Sequence, residues 1–294
     1  MERLEIFNEH RRLLFSLAYR MLGSVADAED MVQEAFLRWQ AAADEEIKAP
    51  KAYLSTIVTN LCINQLTSAR VKREEYIGPW LPEPLLMDES QDPMRNIQMA
   101  DSLSMAFMVL LESLTPTERA CFLLREVFDY EYEEIAGIIG KSETNCRQMV
   151  SRARLHIRER RPRFDVSTEM KTRLMGQFMQ ACASGDLQGL MSLLAEDATL
   201  TSDGGGKVTA ARKPIHGADH IARFLTGLVK KAGAERLSIR PTVVNGQPGF
   251  ITYLNDHLMN VLSLDIVDNQ IRAIYIVVNP DKLQSLKSFT HHQN

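Results

Sequence analysis

The sequence predicts a multidomain chain in which two all-α domains, the second with a helix-turn-helix, precede an α+β domain. Apolar residues recur at three- and four-residue spacing through the first 75 residues, which is typical of packed helices, and Gly23 and Ser24 break the first pair of helices. A stretch with four prolines follows, helices resume near Ile97, and strand-like runs dominate after residue 165. A chain of 294 residues is long enough for two or three domains. The predicted segments are residues 1–75, the linker 76–100, 101–164 and 165–294.

The segment Tyr132–Ala153 has the pattern of a helix-turn-helix. Gly140 stands where the turn needs a positive φ, and Ser142 is placed to cap the second helix, with Glu143 in its first turn. The inward stripe of the two helices consists of apolar or small residues: Ile135, Ala136, Ile139, Cys146, Met149 and Val150. The outward face of the second helix carries polar side chains: Thr144, Asn145, Arg147, Gln148, Ser151 and Arg152. Such side chains hydrogen-bond base edges and phosphates in a major groove, so the segment predicts DNA binding.

The charge distribution supports that prediction, although the net charge of the chain is −4. The span from Lys141 to Arg163 holds eight basic residues and two acids, a local net charge of +6. Arg154, Arg158 and Arg161 in this span are candidates for phosphate contacts or for simple solvated charge. A local basic patch is sufficient for DNA affinity on an acidic protein.

Composition excludes several classes of protein. No run approaches the ~18 apolar residues that a membrane span needs, and the charged N-terminus has no signal-peptide pattern. Cys62, Cys121, Cys146 and Cys182 are widely spaced in apolar helical contexts, which favours reduced core residues over disulfides or metal ligands. We therefore expect a cytoplasmic protein without a membrane partner, cofactor or metal.

Two helices of the first domain carry surfaces suited to a partner. In the helix Asp27–Trp39, apolar residues face inward while six polar residues stay exposed: Asp27, Glu29, Asp30, Gln33, Glu34 and Arg38. A helix face rich in carboxylates suits a basic protein surface, although a merely solvated face has the same pattern. The helix that begins at Pro50 ends in a basic cluster. Its candidates for contacts with phosphates or an unstacked base are Asn60, Asn64, Gln65, Arg70, Lys72 and Arg73.

The order of helical domain, linker and helix-turn-helix domain resembles a bacterial RNA polymerase sigma factor of the extracytoplasmic-function type. The resemblance implies that Asp27–Trp39 binds core RNA polymerase and that Tyr53–Arg73 melts and reads the minus-ten promoter element. It implies that the helix-turn-helix reads the minus-35 element through the outward residues named above, with Arg154 beside them. Core RNA polymerase and promoter DNA are then the expected partners.

Three short strings narrow the resemblance to the SigJ type, which carries a fused SnoaL-like C-terminal domain. The first string is Trp80, Leu81, Pro82, Glu83 and Pro84, in the linker. The second is Asp203, Gly204, Gly205, Gly206 and Lys207, and the third is Asn279, Pro280, Asp281, Lys282 and Leu283. Taken alone, the first string has the pattern of a proline-stiffened spacer and the second that of a flexible hairpin tip. The third has the pattern of a simple chain end. The resemblance implies a joint regulatory role, in which the third domain contacts the linker and the sigma domains.

The third domain is expected to be a cone-shaped α+β barrel, as SnoaL-like folds are. The sequence predicts a helix over 187–197, a strand over 207–215, a hairpin turn at Asp268 and Asn269, and a curved antiparallel sheet. Some relatives of that fold are enzymes, and the candidate acid–base groups here are Asp203, His216, His220, Asp256, His257 and Asp265. They form no convincing catalytic constellation, so no catalytic or metal residues are predicted. We expect a regulatory domain with a possible small-molecule ligand. The alternatives are a SnoaL or ketosteroid-isomerase-like enzyme or ligand sensor fused to DNA-binding domains, and an ordinary helix-turn-helix repressor or activator.

Overall fold

The computed structural model of the protein describes residues 2–42, 47–74, 76–86, 102–160, 166–233 and 236–286. The chain forms two compact units. The first unit combines Met1–Glu75 with Met108–Pro162, and the second combines Tyr76–Phe107 with Arg163–Asn294. The segment that connects the two helical blocks therefore belongs to the C-terminal unit. None of the helices in the described parts of the chain combines the length and apolar character of a membrane span.

The N-terminal part of the chain is helical, as predicted. The helices are α1 (Glu2–Leu22), α2 (Val25–Ala41), α3 (Pro50–Glu74), α4 (Met105–Leu111), α5 (Pro116–Glu126), α6 (Tyr132–Ile139) and α7 (Glu143–Arg160). The predicted break at Gly23 is confirmed, since Ser24 caps α2 by accepting a hydrogen bond from the Asp27 backbone N–H at 3.2 Å. Pro50 begins α3, where its missing N–H costs nothing. The predicted restart of helix near Ile97 lies outside the described residues.

Helices α1 to α3 and α5 to α7 share one compact unit because polar contacts and buried apolar residues join them. Arg119 of α5 is 3% exposed, and its Nη1 donates to the Met21 carbonyl at the end of α1, at 2.5 Å. Its Nε donates to the Leu111 carbonyl at 3.0 Å. The Ser55 hydroxyl of α3 lies 2.7 Å from the Tyr130 hydroxyl just before α6. The helix-turn-helix block thus packs on the N-terminal helices.

The second unit consists of helices over one mixed sheet. Its helices are α8 (Thr168–Ser184), α9 (Leu187–Leu193) and α10 (Ala218–Ala232). Its strands are β1 (Leu194–Asp203), β2 (Ile215–His216), β3 (Leu237–Val244), β4 (Gln247–Leu254), β5 (His257–Val267) and β6 (Gln270–Val277). The strand order is β2-β1-β6-β5-β4-β3. Phe178 of α8 stacks on Phe250 of β4 with ring centroids 6.0 Å apart, inside the apolar core between helices and sheet.

The sheet confirms most of the predicted strands and one turn. Asp268 and Asn269 form the predicted hairpin turn between β5 and β6, with φ of 51° and 60°. Asn and Asp tolerate this left-handed region better than other residues with a Cβ. The predicted α+β fold class is correct.

Three details of the predicted α+β domain are wrong. The helix predicted over residues 187–197 ends at Leu193, because Leu194 turns into an extended conformation and pairs with Ile271. Residues 207–215 form a strand only at Ile215–His216. Pro214 lacks an N–H for a ladder, and the Ala211 N–H donates to the Ser202 hydroxyl instead. The sheet is also not purely antiparallel, since β1 and β6 run parallel.

Candidate functional site

The helix-turn-helix has the predicted turn. Gly140 ends α6 with φ of 68°, and its N–H donates to the Ala136 carbonyl at 2.9 Å. The Ser142 hydroxyl accepts from the Asn145 backbone N–H at 3.3 Å, so Ser142 caps α7 as expected. Of the predicted inward stripe, Ile135, Cys146 and Val150 are buried and the other three residues are half-buried, whereas Ile138, which was not selected, is buried. Ile138 lies three residues after Ile135, on the same side of α6.

The outward face of α7 is open to solvent. Its exposed residues are Thr144, Asn145, Arg147, Gln148, Ser151, Arg152, Arg154 and Arg158. Two of these arginines pair with carboxylates: Arg147 with Glu143 at 3.2 Å and Arg154 with Glu126 at 2.6 Å. The hydrogen bond to Glu126 raises the pKa of Arg154 above its ordinary value. Arg161 lies outside the described residues.

Replacing Ser142 with alanine should lower the free energy of unfolding of the first unit by about 1 kcal/mol, because the cap of α7 is lost. Trp39 and Trp80 are the two tryptophans of the chain. A Trp80→Phe background therefore leaves Trp39 as a fluorescent reporter of the first unit during urea unfolding. Ser142→Asp is the matched control, because aspartate also caps helices, and it should unfold like the parent. Equal losses in both variants would contradict the capping role.

The other predicted surfaces of the first unit are only partly exposed. On α3, Asn60 and Asn64 are exposed and Gln65 is half-buried; Arg70, Lys72 and Arg73 continue the helix, but their side chains lie outside the described part. On α2, Glu29, Asp30, Gln33 and Arg38 are exposed, whereas Asp27 and Glu34 are half-buried. Glu29 pairs with Arg11 at 2.9 Å, and Glu34 pairs with Arg38 at 2.8 Å. Leu37, which the sequence analysis did not select, is 53% exposed beside them.

In the second unit, a buried carboxylate brings the three strings together. Asp203, at the end of β1, is fully buried. Its Oδ2 accepts from the Leu81 backbone N–H at 2.9 Å and from the Lys282 ammonium at 2.7 Å. Its Oδ1 accepts from the Tyr76 hydroxyl at 2.5 Å and from the Gly205 N–H at 3.0 Å. One side chain therefore binds the linker, the glycine loop and the C-terminal segment.

Asn279 closes this arrangement from the C-terminal side. Its Nδ2 donates to the Tyr76 hydroxyl at 2.9 Å, and its backbone N–H donates to the Asp203 carbonyl at 2.9 Å. Burial, followed by the hydrogen bond to Asp203, raises the pKa of Tyr76, so its hydroxyl stays a donor. Gly205 has φ of 59°, and a Cβ there would lie 2.3 Å from Asn279 Nδ2. Only glycine fits at this position without moving the asparagine.

Aromatic rings of the linker enclose the cation. The Lys282 side chain is 13% exposed. Its Nζ lies 4.1 Å from the centroid of the Trp80 ring and 5.3 Å from that of Tyr76. It also donates to the Leu81 carbonyl. Ring faces attract cations, so the two aromatic residues add to the ion pair. We call this group of residues the Asp203 cluster: Tyr76, Trp80, Leu81, Asp203, Gly205, Asn279 and Lys282.

Further contacts fix the linker beside the Asp203 cluster. Glu83 accepts from the Ser285 hydroxyl at 2.9 Å. Leu85 and Asn245 exchange two hydrogen bonds: Leu85 N–H donates to Asn245 Oδ1 at 3.0 Å, and Asn245 N–H donates to the Leu85 carbonyl at 2.8 Å. The remaining members of the strings take less central places: Pro82, Pro84, Gly204 and Leu283 are buried, Pro280 is half-buried, Gly206 is exposed, and Lys207 pairs with Asp281 at the surface. Sequence reasoning missed Tyr76 and Asn245, since neither belongs to a string.

The acid–base candidates of the cone do not come together. His216, His220, Asp256 and His257 are exposed, and Asp256 lies in the β4–β5 turn with φ of 63° rather than in a strand. His216 belongs to β2 and His220 to α10, so no helix aligns them. Within the described ranges, no three His, Cys, Asp or Glu side chains form a group able to hold a metal ion.

Comparison with known proteins shows which families the parts of the chain match. Residues 6–71 match the family described as Sigma-70 region 2, and residues 104–157 match Sigma-70, region 4. Residues 175–260 match the SnoaL-like domain. The chain thus joins both DNA-binding regions of a sigma factor to a SnoaL-like domain at its C-terminal side.

Full-length relatives make the assignment specific. The ECF RNA polymerase sigma factor SigJ of Mycobacterium tuberculosis (strain ATCC 25618 / H37Rv) is 36% identical over 286 residues, which cover 94% of this chain and 91% of SigJ. The probable ECF RNA polymerase sigma factor SigI of the same species (strain CDC 1551 / Oshkosh) is 32% identical over 282 residues, covering 95% and 94%. The crystal structure of M. tuberculosis SigJ superposes with a TM-score of 0.77 at 34% identity, covering 95% of this chain and 98% of that one. The chain belongs to the ECF RNA polymerase sigma factors, which confirms the resemblance drawn from the sequence.

Proposed function

We propose that this sigma factor is regulated in cis by its C-terminal unit, which holds the linker between regions 2 and 4. The observation that carries the proposal is the Asp203 cluster, in which a fully buried carboxylate binds Leu81 of the linker and Lys282 near the end of the chain. Because the linker is built into a folded domain, that domain sets the reach between the two helical blocks. Tethering gives the domain a high effective concentration, so no separate partner is required for the restraint.

The size of the first unit explains why this reach matters. A compact unit of about 130 residues has a radius of gyration of about 14 Å and hence a diameter of about 36 Å. Promoter elements centred about 25 base pairs apart are separated by about 85 Å along B-DNA, at ~3.4 Å per base pair. Regions 2 and 4, packed in one unit, are too close to read both elements at once. Promoter binding then requires them to separate, and the linker must allow it.

We assign the contacts of the sigma regions as follows. The exposed face of α7 is proposed to read the minus-35 element, with Asn145, Arg147 and Gln148 nearest the beginning of the helix, where base contacts are made. Residues Asn60 and Asn64 of α3 are proposed to contact the minus-ten element. The carboxylate-bearing face of α2 is proposed to bind core RNA polymerase, with Leu37 as an added apolar contact.

A reconstituted transcription assay tests the proposal. The purified chain should be retained by core RNA polymerase in a pull-down and should support run-off transcription from promoters selected out of a randomised library. If neither the full chain nor a chain that ends before Val166 binds polymerase, the proposed polymerase contact of α2 is contradicted. Polymerase binding with equal output from both chains would exclude only the regulation in cis.

A buried amide supports a ligand in the cone of the second unit. Asn260 of β5 is 7% exposed and faces the same side of the sheet as Leu262 of the apolar core. Its buried Oδ1 accepts no hydrogen bond from any residue that the structure describes. An unpaired buried carbonyl is costly, and a small molecule with a hydrogen-bond donor would satisfy it. A catalytic function of the second unit is less well supported. Asp203, the most buried of the candidate acid–base groups, already accepts a hydrogen bond from Leu81 of the linker.

Replacing Asn260 with leucine should raise the free energy of unfolding of the second unit by about 1–3 kcal/mol, since an unsatisfied polar group is removed from the core. Urea unfolding followed through Trp80, in a Trp39→Phe background, measures the change. Thr252→Val, at the paired position of β4, is the control and should have a smaller effect. Native mass spectrometry should show an added mass on the parent that the Asn260→Leu variant loses. Destabilisation by Asn260→Leu, with no added mass on the parent, would exclude the ligand.

A further inference from the structure

The ring of Tyr132 contacts two arginine side chains, one from the helix-turn-helix and one from the helix that precedes it. Tyr132 is the first residue of α6 and is half-buried. The guanidinium carbon of Arg147 lies 4.2 Å from the centroid of its ring, and that of Arg125 lies 5.1 Å from it. Both distances are within the range of cation–π contacts. The ring therefore links a side chain of the outward face of α7 to the helix that precedes the motif.

Both arginines that contact the Tyr132 ring have further hydrogen-bond partners. Arg125 is itself anchored, because its Nη1 donates to the Tyr130 carbonyl at 2.9 Å and to Glu131 Oε1 at 3.1 Å. Arg147 is held from a second side by Glu143, whose Oε2 accepts from Nη2 at 3.2 Å. The Arg147 side chain remains 58% exposed, so its other N–H groups are open to a ligand. Two neighbours thus orient a guanidinium that still faces solvent.

We propose that Tyr132 is a positioning residue for promoter specificity, whose ring holds the Arg147 guanidinium in place to bind a guanine of the minus-35 element. The inference rests on the proposed reading of that element by α7. An arginine donates two parallel hydrogen bonds to the O6 and N7 atoms of guanine, and this geometry needs a fixed guanidinium plane. A free arginine side chain would lose rotamer freedom on binding, whereas one already stacked on a ring loses less.

The size of the effect follows from the contact. A cation–π contact at an exposed site corresponds to about a two- to fivefold change in an equilibrium constant. We expect that loss of the ring lowers the preference for the base pair that Arg147 reads by this factor. Contacts with phosphates do not depend on the ring, so affinity for unrelated DNA and its salt dependence should stay unchanged.

A double-mutant cycle with the holoenzyme tests the proposal. The full chain with core RNA polymerase is assayed for binding to promoters carrying each base pair at every minus-35 position. Tyr132→Phe keeps the ring and should match the parent. Tyr132→Leu should lose about two- to fivefold of the preference at one base pair, the same one at which Arg147→Ala loses its preference. The double variant should behave like Arg147→Ala alone, because the ring acts only through the arginine.

Three results would overturn the inference. One is a Tyr132→Leu variant that weakens binding to every sequence equally, which indicates a structural role. Another is a double variant whose losses are the sum of the single losses. A third is an Arg147→Ala variant with unchanged minus-35 preferences. This result would also overturn the proposed reading of DNA by Arg147, and the single Arg147→Ala variant alone distinguishes it from the other two results. If Tyr132→Leu does not fold, Tyr132→Gln at the same half-exposed position replaces it in the cycle.

Discussion

Replacing Asp203 with alanine should lower the free energy of unfolding of the second unit by about 3–5 kcal/mol, the range for removing one partner of a buried ion pair. The loss is large because the substitution leaves the Lys282 ammonium, 13% exposed, without its carboxylate. It also removes the acceptor for the Tyr76 hydroxyl and for the Leu81 and Gly205 N–H groups. Urea unfolding monitored through Trp80 in the Trp39→Phe background reports the change directly, since Trp80 stacks on Lys282.

A double-mutant cycle separates the ion pair from general damage to the site. Lys282→Met alone should also be strongly destabilising, because it leaves a buried carboxylate without its cation. The combination Asp203→Asn with Lys282→Met should cost less than the sum of Asp203→Asn and Lys282→Met measured singly, since neither charge is then left alone. Simple addition of the losses would show that the pair does not hold the linker. The lysine at position 207, whose ion pair with Asp281 is exposed, supplies a control: Lys207→Met should change stability by no more than about 1 kcal/mol.

Replacing Arg119 with methionine should have an effect of similar size on the first unit, about 3–5 kcal/mol. Arg119 is 3% exposed and pairs with Glu112 at 2.8 Å. It also donates to the carbonyls of Leu111 and Met21, which end α4 and α1. Methionine fills a similar volume but donates none of these hydrogen bonds and carries no charge to pair with Glu112. Trp39 fluorescence in the Trp80→Phe background measures the unfolding.

The conservative variant Arg119→Lys distinguishes charge from geometry. A lysine ammonium retains the charge but lacks the planar fork that reaches the carbonyls on both sides, so we expect an intermediate loss. The substitution Ser55→Ala removes one hydrogen bond, between the Ser55 hydroxyl of α3 and the Tyr130 hydroxyl. It should lower the free energy of unfolding by about 0.5–1.5 kcal/mol. If Arg119→Met and Ser55→Ala destabilise the unit equally, the contact with Met21 does not hold the two helical blocks together.

The helix-turn-helix could be predicted from sequence because its determinants are local. Gly140 supplies the left-handed turn, Ser142 supplies the cap, and the polar residues of α7 follow the helical period. Each of these features depends on residues within one or two turns. The buried residue that was missed, Ile138, lies next to the predicted and half-buried Ile139, on a helix only two turns long.

The second unit was harder to predict because its details depend on long-range pairing. Leu194 follows a helix and pairs with Ile271, a partner 77 positions along the chain, so no local signal marks the end of α9. Residues 207–214 have strand-like composition, but only Ile215 and His216 pair with β1, and the Ala211 N–H donates to the Ser202 hydroxyl instead of a strand partner. The three strings are recognisable, yet Tyr76, which donates to Asp203, and Asn245, which binds Leu85, carry no local pattern. Their roles follow only from the folded chain.

Run-off transcription with a single altered glycine tests the regulation in cis most directly. Gly205→Ala places a Cβ 2.3 Å from Asn279 Nδ2 and so displaces the C-terminal side of the Asp203 cluster, whereas Gly227→Ala on α10 meets nothing within 4 Å and serves as the control. Both variants are compared with the parent on the same promoter and the same core RNA polymerase, with unfolding of the first unit monitored through Trp39. Regulation in cis predicts a several-fold change in transcript for Gly205→Ala, an unchanged first unit, and parental output for Gly227→Ala. Parental output from Gly205→Ala, together with parental output from a chain ending at Val278, would contradict it.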